Sequence, residues 1–90
     1  MPTENAPLFM PDALIELLSA ERIAKHYAAC LDSVNLINRI SAQETITDKD
    51  KDSLSRNAEH LNIMLSRTFW TTEDLTVLRD AVTLAKSKIT

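Results

Sequence analysis

The chain has 90 residues and carries 10 Lys and Arg against 13 Asp and Glu, a formal net charge of −3 at pH 7. This length allows one small domain. The charge balance argues against nucleic-acid or membrane binding through a basic surface. The chain contains no glycine, which excludes the P-loop, the dinucleotide-binding turn and the nucleophile elbow. The absence of glycine also disfavours tight hairpins, and with them a β-rich fold.

The cysteine content and the N-terminal residues indicate a compartment. Cys30 is the single cysteine, so no internal disulfide can form and nothing indicates an oxidising compartment. The first five residues lack the basic and apolar regions of a secretory signal, and the apolar runs are too short for a membrane span. We therefore expect a cytoplasmic protein, or one inside a particle assembled in the cytoplasm.

The N-terminus differs in composition from the rest of the chain. All three prolines lie within the first eleven residues, which predicts an extended arm over residues 1–10 and a single helical domain over 11–90. Leu8, Phe9 and Met10 make the end of the arm apolar. The arm is either a short docking peptide or a segment that frays or packs back on the domain.

The first long helical segment runs from about residue 12 to 43. Leu14, Ile15 and Leu18 lie on one side of the projected helix, and a broad apolar stripe lies on the opposite side. A straight helix would present apolar surface in opposed directions, so we predict a short helix at 12–18 and a longer one at 20–42. The stripe of the longer helix consists of Ile23, Ala24, Tyr27, Cys30, Leu31, Val34 and Ile37.

Two later helix starts carry capping patterns. Thr47 with Asp50, and Thr71 with Asp74, each have the spacing of a capping box in its Asp form. We therefore predict one helix over about 48–67 and a last helix over about 72–88. The second pattern also has the spacing of a hydrophobic staple, between Trp70 and Leu75.

The apolar residues of both later helices recur at three- and four-residue intervals, the spacing of a bundle seam. No segment shows the alternation of a β-strand. The predicted fold is therefore all-α, a small antiparallel bundle of three main helices, with a short extra helix at the N-terminus as a possible addition.

A calcium loop is the sharpest metal hypothesis. Asp48, Asp50, Asp52 and Glu59 match the first, third, fifth and twelfth positions of an EF-hand loop. Ser53 replaces the glycine that makes the sharp turn of that loop, and the apolar residues keep helical spacing throughout it. We therefore favour a solvated acidic first turn and expect no bound metal.

Zinc binding, catalysis and DNA binding have less support. His26 and Cys30 are one turn apart and His60 is on another helix, but a structural zinc site needs four ligands. We expect Cys30 to be a buried thiol. No spacing nominates a nucleophile with its base, so we expect no enzyme and no cofactor. A helix-turn-helix regulator stays a less favoured alternative, because its last helix would open with acidic residues.

Surplus apolar helix surface suggests association. The stripe of the last helix extends beyond one neighbour through Val77, Ala81 and Leu84, which we select with the arm residues as interaction residues. Asn38 and Asn62 could fix the register of paired helices if buried. The favoured function is a non-enzymatic protein–protein interaction or assembly module, as a homo-oligomer. The alternative is a small acidic inhibitor that blocks a host protein.

The segment from residue 56 to residue 75, which opens with RNAEHL and closes with FWTTEDL, resembles segments of short all-helical proteins encoded by phages and prophages. The resemblance covers about a fifth of the chain and includes no motif of known chemistry. It implies no activity, and it implies a phage-encoded accessory or assembly component.

Overall fold

The computed structural model describes residues 19–90, which form three α-helices and no β-strand within that range. Helix α1 spans Ala20–Ser41, α2 spans Asp48–Leu65 and α3 spans Thr76–Ile89. Each helix packs against both of the others. The predicted small all-α bundle of three main helices is therefore confirmed. The three described helices are too short or too polar to cross a membrane.

Helix α1 begins directly after Ser19. The backbone of Ser19 is extended, with φ −63° and ψ 155°, and its Oγ accepts a hydrogen bond of 3.3 Å from the backbone N–H of Arg22. Ser19 is thus the N-cap of α1, which confirms the predicted start of the longer helix at residue 20. The arm over 1–10 and the short helix predicted over 12–18 lie outside the described residues.

Helix α2 begins with the capping box that the sequence predicts. Thr47 Oγ1 accepts the backbone N–H of Asp50 at 3.1 Å, and Asp50 Oδ2 accepts the backbone N–H of Thr47 at 3.1 Å. Two otherwise unpaired donors of the first turn are satisfied in this way, an arrangement worth about 1 kcal/mol. The helix ends at Leu65, two residues before the predicted end, with Ser66 as its C-cap.

The prediction for the start of α3 is wrong. The helix begins at Thr76 rather than 72, and its N-cap Leu75 makes no side-chain cap. In place of the predicted box, Glu73 Oε1 accepts the backbone N–H of Thr71 at 3.0 Å, and Asp74 Oδ1 accepts the backbone N–H of Thr76 at 3.0 Å.

Two long side chains, Trp70 within the segment and Tyr27 from α1, hold residues 66–75 as a loop. Because α3 begins at Thr76, Trp70 and Leu75 do not occupy the positions of the predicted staple. The indole Nε1–H of Trp70 donates to the Met64 carbonyl at 2.8 Å. The Tyr27 hydroxyl donates to the Asp74 carbonyl at 2.8 Å. These two long side chains fix both ends of the Trp70–Asp74 stretch, so the chain turns into a helix only after Asp74.

The core lies where the three helices meet. Complete burial of a leucine, isoleucine or valine side chain there contributes about 1.5–3 kcal/mol to the free energy of unfolding. The predicted core stripe of α1 is too broad, because Ala24 is exposed and Leu31 is only half-buried. Cys30 is fully buried, as expected for a structural thiol. The largest fully buried side chains are Ile37, Leu54, Leu61, Leu78 and Cys30.

Candidate functional site

One side of α1 turns away from α2 and α3 and carries no charged side chain from residue 24 to the C-cap. Its residues follow one another at intervals of four and three, the spacing of a coiled-coil seam. Leu31 is half-buried and the other members are exposed. We call this surface the α1 face, and its residues are Ala24, Ala28, Leu31, Asn35, Asn38 and Ala42.

The two edges of the α1 face differ. Lys25, Asp32 and Arg39 are exposed along one edge at seven-residue intervals, each directly after a member of the face. None of the three forms an ion pair with another residue of 19–90. The other edge turns into the chain's own core, through half-buried Tyr27 and buried Val34. The face is therefore uncharged along its centre and alternately charged along its outer edge.

An open depression of about 320 Å³ adjoins the charged edge of the α1 face. Its described lining comes from one helix, so it is a surface groove between side chains rather than an enclosed ligand cavity. The described lining contains no serine, cysteine, histidine or lysine side chain. The lining residues are Asp32, Asn35, Leu36 and Arg39.

The structure corrects part of the interaction surface predicted on the last helix. Ala81 is only 3% exposed and belongs to the core, because its small side chain lies where the neighbouring helices pack against α3. Leu84 is half-buried against that core. Val77, at 36% exposure, is the open member of the three. The predicted arm residues Leu8, Phe9 and Met10 lie outside the described residues.

Sequence reasoning missed the α1 face because it assigned Ala24 and Leu31 to the core. Alanine is uninformative on a helical wheel, since it is found both inside and outside proteins. The available signal was the regular spacing of uncharged residues, with a charge directly after Ala24, Leu31 and Asn38. Asn38 and Asn62, considered as buried register residues, are both exposed.

Four rings join α1 to the loop between α2 and α3. The centroids of Phe69 and Trp70 are 4.7 Å apart, those of Tyr27 and Trp70 are 5.9 Å apart, and those of His26 and Phe69 are 5.4 Å apart. Partial burial, followed by the nearby Asp74 carboxylate, raises the pKa of the Tyr27 hydroxyl. The Tyr27 hydroxyl also donates to the Asp74 carbonyl of the loop, which makes this cluster a structural joint.

Ser33 and His60 are the one Ser–His pair that the described structure brings into contact, with Ser33 Oγ 2.9 Å from His60 Nδ1. Ser33 is 6% exposed, and His60 is half-buried. The pair links α1 to α2 as an interhelical hydrogen bond.

Burial raises the pKa of the Cys30 thiol. Within residues 19–90, no three His, Cys, Asp or Glu side chains converge as metal ligands.

The acidic start of α2 is helical throughout the proposed calcium loop. Asp48–Leu65 is one continuous helix, so residues 48–59 cannot also wrap around an ion as a loop. Asp50 is engaged in the capping box, and Asp52 pairs with Arg56 at 2.7 Å on the exposed surface. The preferred interpretation, a solvated acidic first turn, agrees with this geometry.

No family model, no curated protein and no solved structure matches the chain.

Proposed function

We propose that this chain is a non-enzymatic helical protein–protein interaction module that acts by self-association. The observation that carries the proposal is the α1 face, an exposed, uncharged surface with coiled-coil spacing along a 22-residue helix. Helix surfaces without a partner normally carry charge for solubility. A surface that keeps seam spacing and omits charge over five turns has the character of a contact surface.

The remaining exposed surfaces support this choice by contrast. Ile63 is 55% exposed, but on the helical projection it lies among Asp52, Arg56 and Glu59, so it is a single apolar side chain on a charged face. Val77 likewise has no exposed apolar neighbour of comparable size on α3. Neither Ile63 nor Val77 therefore belongs to an extended apolar surface on its helix.

The expected affinity is modest. Stable interfaces commonly bury about 1,200–2,000 Å² in total, and a single pair of alanine-rich helices falls at or below the low end of that range. We therefore expect a reversible dimer that forms in the micromolar range or above. Reversible pairing suits an accessory or assembly component, the context that the resemblance to phage proteins implies.

The test is absolute mass by light scattering on a sizing column, at two protein concentrations about tenfold apart. We expect the apparent mass to rise from near 10.1 kDa toward twice that value as concentration rises. If the mass stays at 10.1 kDa at both concentrations, and also when the protein concentration is raised to the millimolar range, self-association is contradicted.

Two neighbouring alanines give a matched pair of variants. Ala28 lies on the α1 face and Ala29 lies off it, and both are exposed. Ala28→Lys places a charge in the contact and should abolish the rise in mass, whereas Ala29→Lys should leave it intact. Alanine and lysine are both good helix formers, so equal circular dichroism spectra would show that neither variant unfolds α1. Equal association of the two variants would count against the α1 face.

A further inference from the structure

We propose that the occupant of the α1 face is α1 of a second copy of this chain, running antiparallel, with Ala28 opposite the partner's Leu31. This inference rests on the proposed self-association and specifies its geometry. The same register places Ala24 opposite the partner's Asn35, and it overlaps the two helices over residues 20–39.

The spacing of the face determines the kind of partner. Intervals of four and three residues keep a surface in line with a second helix that crosses at a shallow angle. An extended strand or an irregular loop has a different repeat and would contact only some of the six positions. A helix with the same repeat fits along the entire face, and α1 itself supplies one.

The charged edge selects the direction. In an antiparallel pair of helices, the charged outer edge of one copy, formed by Lys25, Asp32 and Arg39, lies beside the same edge of the other copy. In the proposed register Lys25 lies beside the partner's Asp32, and the two-fold symmetry repeats the pair. In a parallel pair the outer edge would instead lie beside Tyr27 and Val34, which face the chain's own core. Antiparallel packing also places opposite ends of the helix dipoles together.

The same charges select the register. A shift that brings Ala28 opposite the partner's Asn38 keeps the seam spacing. That shift, however, places Asp32 beside the partner's Asp32, and Lys25 beside the partner's Arg39. Both contacts are repulsive, so the shifted register is disfavoured while the proposed one gains two attractive pairs.

The side chains facing across the proposed seam are complementary in size. Leu31 is the largest residue of the face, and each copy sets it against the small side chain of the partner's Ala28. Asn38 comes opposite the partner's Glu21, where the amide N–H can donate to the carboxylate. The centre of the contact is therefore apolar and its ends are polar, as in small protein interfaces.

A charge swap tests the register. Asp32→Lys sets two lysines together at both symmetry-related contacts and should weaken self-association on the order of tenfold at low salt. The double variant Lys25→Glu with Asp32→Lys restores opposite charges and should recover the wild-type dissociation constant. Arg22→Glu is the control, since Arg22 is exposed on α1 away from the face, and it should change little.

The outcomes separate this inference from the proposed function. A wild-type chain that stays monomeric removes the proposed function, and this inference with it. If Ala28→Lys abolishes association but Asp32→Lys behaves like Arg22→Glu, the face is used in another direction or register, and only this inference is overturned. Failure of the double variant to recover association also overturns it.

Crosslinking gives a second, geometric test. In the proposed register position 24 lies opposite position 35 of the partner, so an oxidised equimolar mixture of Ala24→Cys and Asn35→Cys chains should form a covalent dimer. Either variant alone should not, because equivalent positions are then about 16 Å apart along the helices, beyond the reach of a disulfide. Efficient crosslinking of Ala24→Cys with itself would show parallel pairing. Cys30 is 0% exposed and should not compete.

Discussion

The starts of α2 and α3 carry the same capping pattern in the sequence, yet the structure forms it only once. At Thr47 the box closes with two hydrogen bonds of 3.1 Å, whereas at Thr71 the helix starts four residues later than predicted. The difference lies in the surroundings. Of residues 42–47 only Ile46 packs against the core and the others are exposed, while residues 66–75 hold Phe69 and Trp70 against α1. Caps worth about 1 kcal/mol yield to aromatic packing that contributes more.

Among the variants that test this comparison, removal of Trp70 should lower the free energy of unfolding the most. Trp70→Ala deletes a half-buried indole, its ring contacts and its bond to the Met64 carbonyl, and we expect a loss of about 2–3 kcal/mol in the free energy of unfolding. Urea denaturation followed by far-UV circular dichroism measures this loss. Trp70→Phe retains most of the packing and should lose about 1 kcal/mol. A loss below about 0.5 kcal/mol for the alanine variant would show that the loop is held by other contacts.

The two threonines provide the direct test of the comparison. Thr47→Ala removes a formed cap and should cost about 1 kcal/mol, with a range of about 0.5–2. Thr71→Ala removes a side chain that caps no helix and should stay within about 0.5 kcal/mol of the wild type. Both values come from urea midpoints at an unchanged denaturant slope. Equal losses at the two positions would contradict the assigned start of α3.

Replacing Tyr27 should cost about as much stability as removing the Thr47 cap, and its contribution depends on pH. Its pKa is raised by partial burial and by Asp74, so the folded chain holds the phenolic proton more tightly than the unfolded chain. The resulting stability is fully present below the unfolded pKa of about 10, and it is lost as pH rises through the folded pKa. Tyr27→Phe should lose about 1 kcal/mol at neutral pH, from the missing bond to the Asp74 carbonyl.

The alkaline part of that prediction has a clean readout. The chain contains a single tyrosine, so tyrosinate absorbance reports Tyr27 alone and should appear at higher pH in the folded protein than in urea. Burial also raises the pKa of the Cys30 thiol, so stability falls at alkaline pH through Cys30 as well. The Tyr27→Phe variant keeps this second contribution. Coincident titration of Tyr27 in the folded and unfolded chain would contradict the prediction.

Local signals in the sequence were sufficient where local contacts decide the structure. Ser19 and Thr47 cap helices whose starts follow from the side chain and the next three residues. The three-helix fold followed from helical periodicity and the absence of glycine. The start of α3 could not be predicted in this way, because Tyr27 acts on it through Asp74 from a distant part of the chain.

The candidate site was less predictable than the fold. Burial of a small residue depends on how closely two helices approach, and the sequence does not give that distance. Ala81 was therefore placed on the surface and is buried, while Ala24 was placed in the core and is exposed. The charges that border the α1 face, at Lys25, Asp32 and Arg39, were visible in the sequence, but their meaning depends on which side of α1 the bundle leaves open.

The single cysteine provides a chemical probe of unfolding. Cys30 is 0% exposed at the junction of the three helices, and its raised pKa keeps the thiolate scarce while the chain is folded. A thiol reagent can reach Cys30 only when the bundle opens. At low reagent concentration the labelling rate reports the equilibrium constant of opening, and at high reagent concentration it reports the rate of opening. Unfolding can then be timed in native buffer without denaturant. If pairing protects the folded chain, labelling will slow as protein concentration rises.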